Sequence, residues 1–215
     1  IFTMTTAQPG PLLALPADSL SLAVLDFVRG SVSAPIVNHS IRAFLWAELL
    51  VDHWDVRRSD DYDRETLFFA TILHDVGLGS AGDERPDRFE VTGADIAARF
   101  LEENGVARTT VDSVWEAIAL HTSIGIASRR ALLCRLTAAG TALDFGDGSD
   151  FVTDEVGASI HADYPRLDTG STLFRTIVTQ ARNTPSKAPL ASLARYLMVT
   201  ETAGIDAKIP ARWGD

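Results

Sequence analysis

The chain is short of cysteine, short of positive charge and without long apolar runs. Cys134 is its single cysteine. An intrachain disulfide is therefore excluded, and so is a zinc site built on thiolates. One cysteine suits a reducing compartment, and the cytoplasm is the expected location. Against 29 acidic residues stand 19 basic ones, for a formal net charge of −10. A chain that gripped a phosphate backbone would need a basic face, so nucleic acid is not an expected partner. No stretch reaches the ~20 apolar residues of a membrane-spanning helix, and no membrane partner is expected. The opening "IFTMTTAQPGPLLALP" has no basic start and is broken by prolines, a poor match to a signal peptide. Met4 reads as the natural start and residues 1–3 as a cloning remnant.

What is present is ordinary globular composition, 46% apolar, over 215 residues, enough for one domain with a sizeable core. Residues 1–17, with Pro9, Pro11 and Pro16, read as an N-terminal arm, and residues 18–215 as the domain. Helical spacing then dominates. "ADSLSLAVLDFVRG" closes on Gly30. "SAPIVNHSIRAFLWAELLVDHW" offers Ser33 as an N-cap and Pro35 in the first turn. "DRETLFFATILHDVG" spans Asp63 to Gly77 and is apolar nearly all round, so a central, buried helix is expected. "VTGADIAARFLEENG" takes Thr92 as its cap and Gly105 as its stop. "TTVDSVWEAIALH", "SRRALLCRLTAAGTALDFG", "STLFRTIVTQARN" and "PLASLARYLMVTET" follow, with "GDGSDFVT" as a loop. No convincing period-two alternation appears. The expectation is an all-α bundle of about seven to nine helices.

Five histidines are present: His39, His53, His74, His121 and His161. His39, His74 and His121 fall on or at the end of apolar helical segments. Asp75 follows His74, and Asp144 lies in the apolar "TAAGTALDFG". Buried carboxylates and imidazoles without partners are costly, and a shared divalent cation would partner all of them. Read from the residues alone, the same pattern also fits hydrogen-bonded core histidines.

The order His39, then His74-Asp75, then Asp144 on successive helices resembles the HD-domain superfamily of metal-dependent hydrolases. The finer pattern is similar to its cyanamide hydratase-like group. It is carried by "NHSIRAFLWAELL", "FFATILHDVGLG", "RFEVTGADIAARFL", "AIALHTSIGIA", "GTALDFGDG" and "DYPRLDTGSTLFRTIV", in the group's order over roughly residues 35 to 180. The resemblance implies a single HD-domain bundle with one buried metal site. It implies His39, His74, Asp75 and Asp144 as ligands of one divalent transition metal ion, zinc first and iron(II) second. It places His121 beside the reacting water. It further implies a small-molecule substrate, cyanamide hydrated to urea, and a homodimer. Asp75 and His121 are the candidates for proton transfer. Phe89, Glu90 and Thr122 adjoin motif residues and either line the pocket or serve capping and packing. The extra histidines of the superfamily's two-iron oxygenases have no counterpart between Asp75 and His121, although Glu90 offers an oxygen ligand for a second ion.

A phosphohydrolase acting on a nucleotide or other small phosphate ester is the competing expectation, with Arg85 and Arg88 near the motif as its support. A non-catalytic binding protein is a third. Arg42 either faces the pocket or pairs with a carboxylate, and Arg166 is expected to hold a loop. His53 and His161 are expected at the surface, and Cys134 in the core.

Overall fold

A computed structural model describes residues 13–204 and 212–213. Ten α-helices and no strand occur among the described residues: α1 (Ser19–Ser31), α2 (Ala34–His53), α3 (Arg64–Leu73), α4 (Ser80–Asp83), α5 (Phe89–Glu103), α6 (Arg108–Leu120), α7 (Leu132–Leu143), α8 (Asp154–Asp163), α9 (Thr169–Asn183) and α10 (Leu193–Thr202). The all-α architecture is as expected. The two helices beyond the eight read from the sequence are α4, a single turn, and α8, which starts directly after the stretch expected as a loop, with that stretch's last residue, Thr153, as its N-cap. Most of the expected arm lies outside the described residues, including Met4 and residues 1–3. Leu13 and Leu15 at its end pack against the core.

Helix α3 is central. Every residue from Leu67 to Leu73 is buried, and the helix packs against α1, α2, α6 and α7. A helix apolar on all sides can satisfy its surface only by being surrounded. Asp63 starts it by accepting a hydrogen bond from the Thr66 backbone N–H at 2.7 Å, which satisfies an otherwise orphaned donor. The helix ends at Leu73 rather than at Gly77. His74 is its C-cap, and Val76–Leu78 forms a 3-10 turn.

Helix α5 begins at Phe89, with Arg88 as N-cap, so Thr92 lies inside the first turn and is not the cap. Its N-terminus is pressed onto the turn after α3. A Cβ placed on Gly77 would sit 2.1 Å from the Phe89 carbonyl oxygen and 2.8 Å from the Gly93 nitrogen. Only glycine permits that main-chain approach. Helices α2 and α7 meet in the same manner, since a Cβ on Gly140 would lie 2.6 Å from the Ala43 carbonyl oxygen.

Candidate metal centre

Three helices end at one place. His74, His121 and Asp144 are the C-caps of α3, α6 and α7, while His39 enters from the second turn of α2. A helix C-terminus carries partial negative charge, so converging ends favour a cation between them. His39, His74, Asp75 and Asp144 are all buried, none more than 3% exposed. His121 joins them with a side chain that is 5% exposed.

Each imidazole is fixed by its Nδ1. That of His74 donates to the Thr71 carbonyl at 2.6 Å and that of His121 to the Ile118 carbonyl at 2.7 Å. That of His39 donates to Asp144 Oδ2 at 2.7 Å. A carbonyl or carboxylate only accepts, so these bonds put the proton on Nδ1 and leave Nε2 as a lone-pair donor. All three Nε2 atoms point at one carboxylate. They lie 3.8 Å (His39) and 3.1 Å (His74) from Asp75 Oδ2, and 3.7 Å (His121) from Asp75 Oδ1. Ligand atoms of His39, His74 and Asp75 all fall within 4.8 Å of one another. Neutral imidazoles held through the other nitrogen, grouped on an anionic oxygen, form a donor set that fits a divalent cation.

The electrostatics favour the neutral form for two of the three imidazoles, His39 and His121. Burial would raise the Asp75 carboxyl, but His74, His121 and His39 outweigh it and hold it well below the usual carboxylate range. Burial pushes the His121 imidazole down to about 4, helped by His74. Burial also lowers His39, although Asp144 opposes the shift. His74 goes the other way: burial opposes its charge, and Asp75 overcomes the penalty.

Asp144 stands behind His39, outside the His39–His74–Asp75 group. Its Oδ1 accepts from Arg42 Nε at 2.7 Å and Trp46 Nε1 at 2.8 Å, and its Oδ2 from Arg42 Nη2 at 2.8 Å. Its carboxyl is held far below the ordinary range: burial alone would raise it, but the Arg42 and His39 contacts dominate. A carboxylate at a helix C-terminus opposes the dipole, and the Arg42 guanidinium compensates. Arg42 is therefore a carboxylate partner, not a pocket residue. Arg166 is buried and donates to the Asp144 carbonyl, tying the loop before α9 to this point.

Glu90 is fully buried beside the cluster. Arg88 grips it through Nη2 at 2.6 Å and Nε at 3.0 Å, and the Thr122 hydroxyl donates to it. Burial raises the Glu90 carboxyl, but Arg88, His121 and Thr122 together bring it below its ordinary value. Phe89 sets its ring 5.8 Å from that of His121. Phe89 and Thr122 line a cavity of about 290 Å³ that opens from the His/Asp cluster. Glu90 does not line it; it lies behind Thr122. Sequence reasoning missed most of the remaining wall, including Phe145, Leu173, Phe174, Ile177, Leu193 and Leu197. Their periodicity marks a buried face but does not separate pocket lining from core.

His53 ends α2 with an exposed side, its ring stacked on Phe151 at 4.1 Å. His161 is a correction to the surface expectation. Its ring packs 5.9 Å from both Trp46 and Trp213, and burial lowers it to about 4. Cys134 is buried as expected.

An all-α bundle with an H…HD…D order and a buried His/Asp group defines a metal-dependent hydrolase or hydratase class. The HD domain family model matches residues 36–144, a span that begins just ahead of His39 and ends on Asp144. The chain belongs to the HD domain family. It is also similar to two curated proteins of Saccharomyces cerevisiae (strain ATCC 204508 / S288c), "Cyanamide hydratase DDI2" and "Cyanamide hydratase DDI3". Each is 27% identical over 178 residues, covering 80% of this chain and 76% of the relative. Among the described residues, no helix is long and apolar enough to cross a membrane.

Proposed function

We propose that this HD-family enzyme adds water to a nitrile-like small molecule, with cyanamide converted to urea as its reference reaction. The observation that carries the reading is the convergence of three Nε2 lone pairs on Asp75 at 3.1–3.8 Å, at the foot of a cavity. The two yeast relatives support the choice of substrate.

His39, His74 and Asp75 would hold a divalent cation, zinc first and iron(II) as the alternative, with Asp144 completing the set through His39. When bound, such an ion supplies Lewis acidity, which lowers the pKa of a water and polarises a carbon–nitrogen triple bond. His121 is neutral near pH 7, and its Nε2 is an acceptor. It takes a proton from the attacking water and returns it to the nitrile nitrogen. Asp75 Oδ1, 3.7 Å away, stabilises the imidazolium formed between those steps. Phe89 and Thr122 bound the space the substrate occupies, and Glu90 fixes the Thr122 hydroxyl. The reading includes a homodimer, which sedimentation of the purified protein tests, and a cytoplasmic location, which cell fractionation tests.

A phosphate ester fits less well. No lysine or arginine is among the described residues that line the cavity, and Arg88 and Arg42 are committed to Glu90 and Asp144. Urea formation from cyanamide is the test, with metal-loaded and chelated protein run side by side. Metal-dependent urea, lost in Asp75→Asn, supports the proposal. Phosphate release from a nucleotide panel without urea overturns it.

A further inference from the structure

The cavity is much larger than cyanamide. Cyanamide has three non-hydrogen atoms and displaces at most ~90 Å³, taking each as roughly the ~30 Å³ share of a water. The cavity measures about 290 Å³, close to the ~300 Å³ at which small-molecule pockets begin. The excess space has a definite chemistry. The polar groups His39, His74, Asp75 and His121 gather at one end, and beyond them the wall is mostly hydrocarbon, with Thr122, Thr141 and Asp147 its other polar members. Phe89 and Phe145 flank the imidazoles of His121 and His39 at 5.8 and 5.1 Å. Leu173 and Ile177 of α9 and Leu193 and Leu197 of α10 form the far side. These helices lie outside the span that matches the family.

Water in an apolar chamber of this kind is poorly held, and displacing it with hydrocarbon favours binding. From this lining, and resting on the hydratase reading above, we propose that the enzyme's own substrate is a nitrile or N-substituted cyanamide bearing an apolar group of about benzyl size. The group occupies the α9–α10 chamber while the C≡N faces the His/Asp end. The reaction balances without a co-reactant. The water oxygen bonds to the nitrile carbon while one π pair of the C≡N takes a proton at nitrogen. In the imidic acid so formed the O–H pair becomes the C=O bond and the second π pair takes the other proton at nitrogen, giving a substituted urea or amide.

The test compares kcat/KM for cyanamide, N-methylcyanamide, N-benzylcyanamide and phenylacetonitrile on the metal-loaded enzyme. Each buried methylene contributes about fourfold, so N-benzylcyanamide should exceed cyanamide by at least about tenfold. Phenylacetonitrile separates the two nitrile sources, since its turnover assigns the specificity to the hydrocarbon rather than to the cyanamide nitrogen. Leu193→Trp, at a partly exposed position, fills the chamber and should cut the benzyl-to-cyanamide ratio about tenfold or more. Urea from cyanamide with a flat or falling series overturns the inference and leaves the hydratase reading intact. No hydration of any member, by protein shown to hold its metal, overturns both.

Discussion

Replacing Arg42 by methionine removes a guanidinium that is fully buried and leaves the Asp144 carboxylate without its main counter-charge. The pair is two-pronged, with Nε–Oδ1 at 2.7 Å and Nη2–Oδ2 at 2.8 Å, and neither side chain has any exposed area. Solvent screening therefore gives no discount. Arg42 also donates to the carbonyls of Tyr164 at 2.9 Å and Pro165 at 3.2 Å, so the loop ahead of α9 loses its anchor too. Breaking a buried pair from one side costs about 3–5 kcal/mol. For a chain of this size about 2–4 °C of Tm accompany each kcal/mol, so the expected fall is about 6–20 °C. Differential scanning calorimetry of chelated protein reads it, free of any contribution from bound metal. The double variant Arg42→Met with Asp144→Leu should recover part of the loss, because no charge is then stranded. One molar salt should leave the coupling unchanged, since buried pairs escape screening. A fall below about 2 °C, or single losses that simply add in the double variant, would refute the argument that Asp144 depends on Arg42.

His121→Gln should lower kcat for cyanamide hydration by about 10²–10⁴-fold while metal content, read by elemental analysis, stays near that of the parent. Gly77→Ala should abolish the native transition or lower it severely, because the added carbon meets the Phe89 carbonyl at 2.1 Å with only main chain to yield; circular dichroism melts check it. The folded His161 titrates near 4, below the ordinary 6.5. The unfolded chain therefore binds more protons between those values, and the stabilisation is present above pH 6.5 and lost as pH falls toward 4. In the metal-free protein His121, also pushed down to about 4, shares this window, so His161→Phe should reduce the slope of unfolding free energy between pH 4 and 6.5 without removing it. Burial pushes the Cys134 thiol up to about 12, with Glu116 adding to the shift, so a thiol reagent at pH 8 should label it slowly in the native protein and rapidly in denaturant.

The burial of His39, His74, Asp75 and Asp144 was legible in the sequence because polar groups on apolar helices are anomalies that burial must resolve, whereas their grouping was carried by the family resemblance. Periodicity found α3 but ran it to Gly77, past its end at Leu73, because the residues of the turn that follows are apolar as well. What the sequence hid depends on partners far along the chain. The packing of His161 comes from Trp46 and Trp213, neither of them near it in sequence. Helix α8 escaped because only Gly157 and Ile160 are buried along it, too little for a stripe. Helix α5 starts early without a side-chain cap hydrogen bond, so its true boundary left no composition signal. Asp144 reads as one residue among equals in the motif order, and only the fold reveals that Arg42, Trp46 and His39 surround it.

The contact between the turn after α3 and the start of α5 is made of main-chain atoms, with Gly77 fitted against Phe89 and Gly93. Side chains can change rotamer to absorb a small error, whereas peptide groups in contact have no such freedom. The position of His74 and Asp75 is thus a two-valued property: seated or lost. Damage to this joint should therefore appear as a smaller fraction of molecules able to take up a metal ion, each survivor binding with full strength, rather than as a uniform weakening across the population.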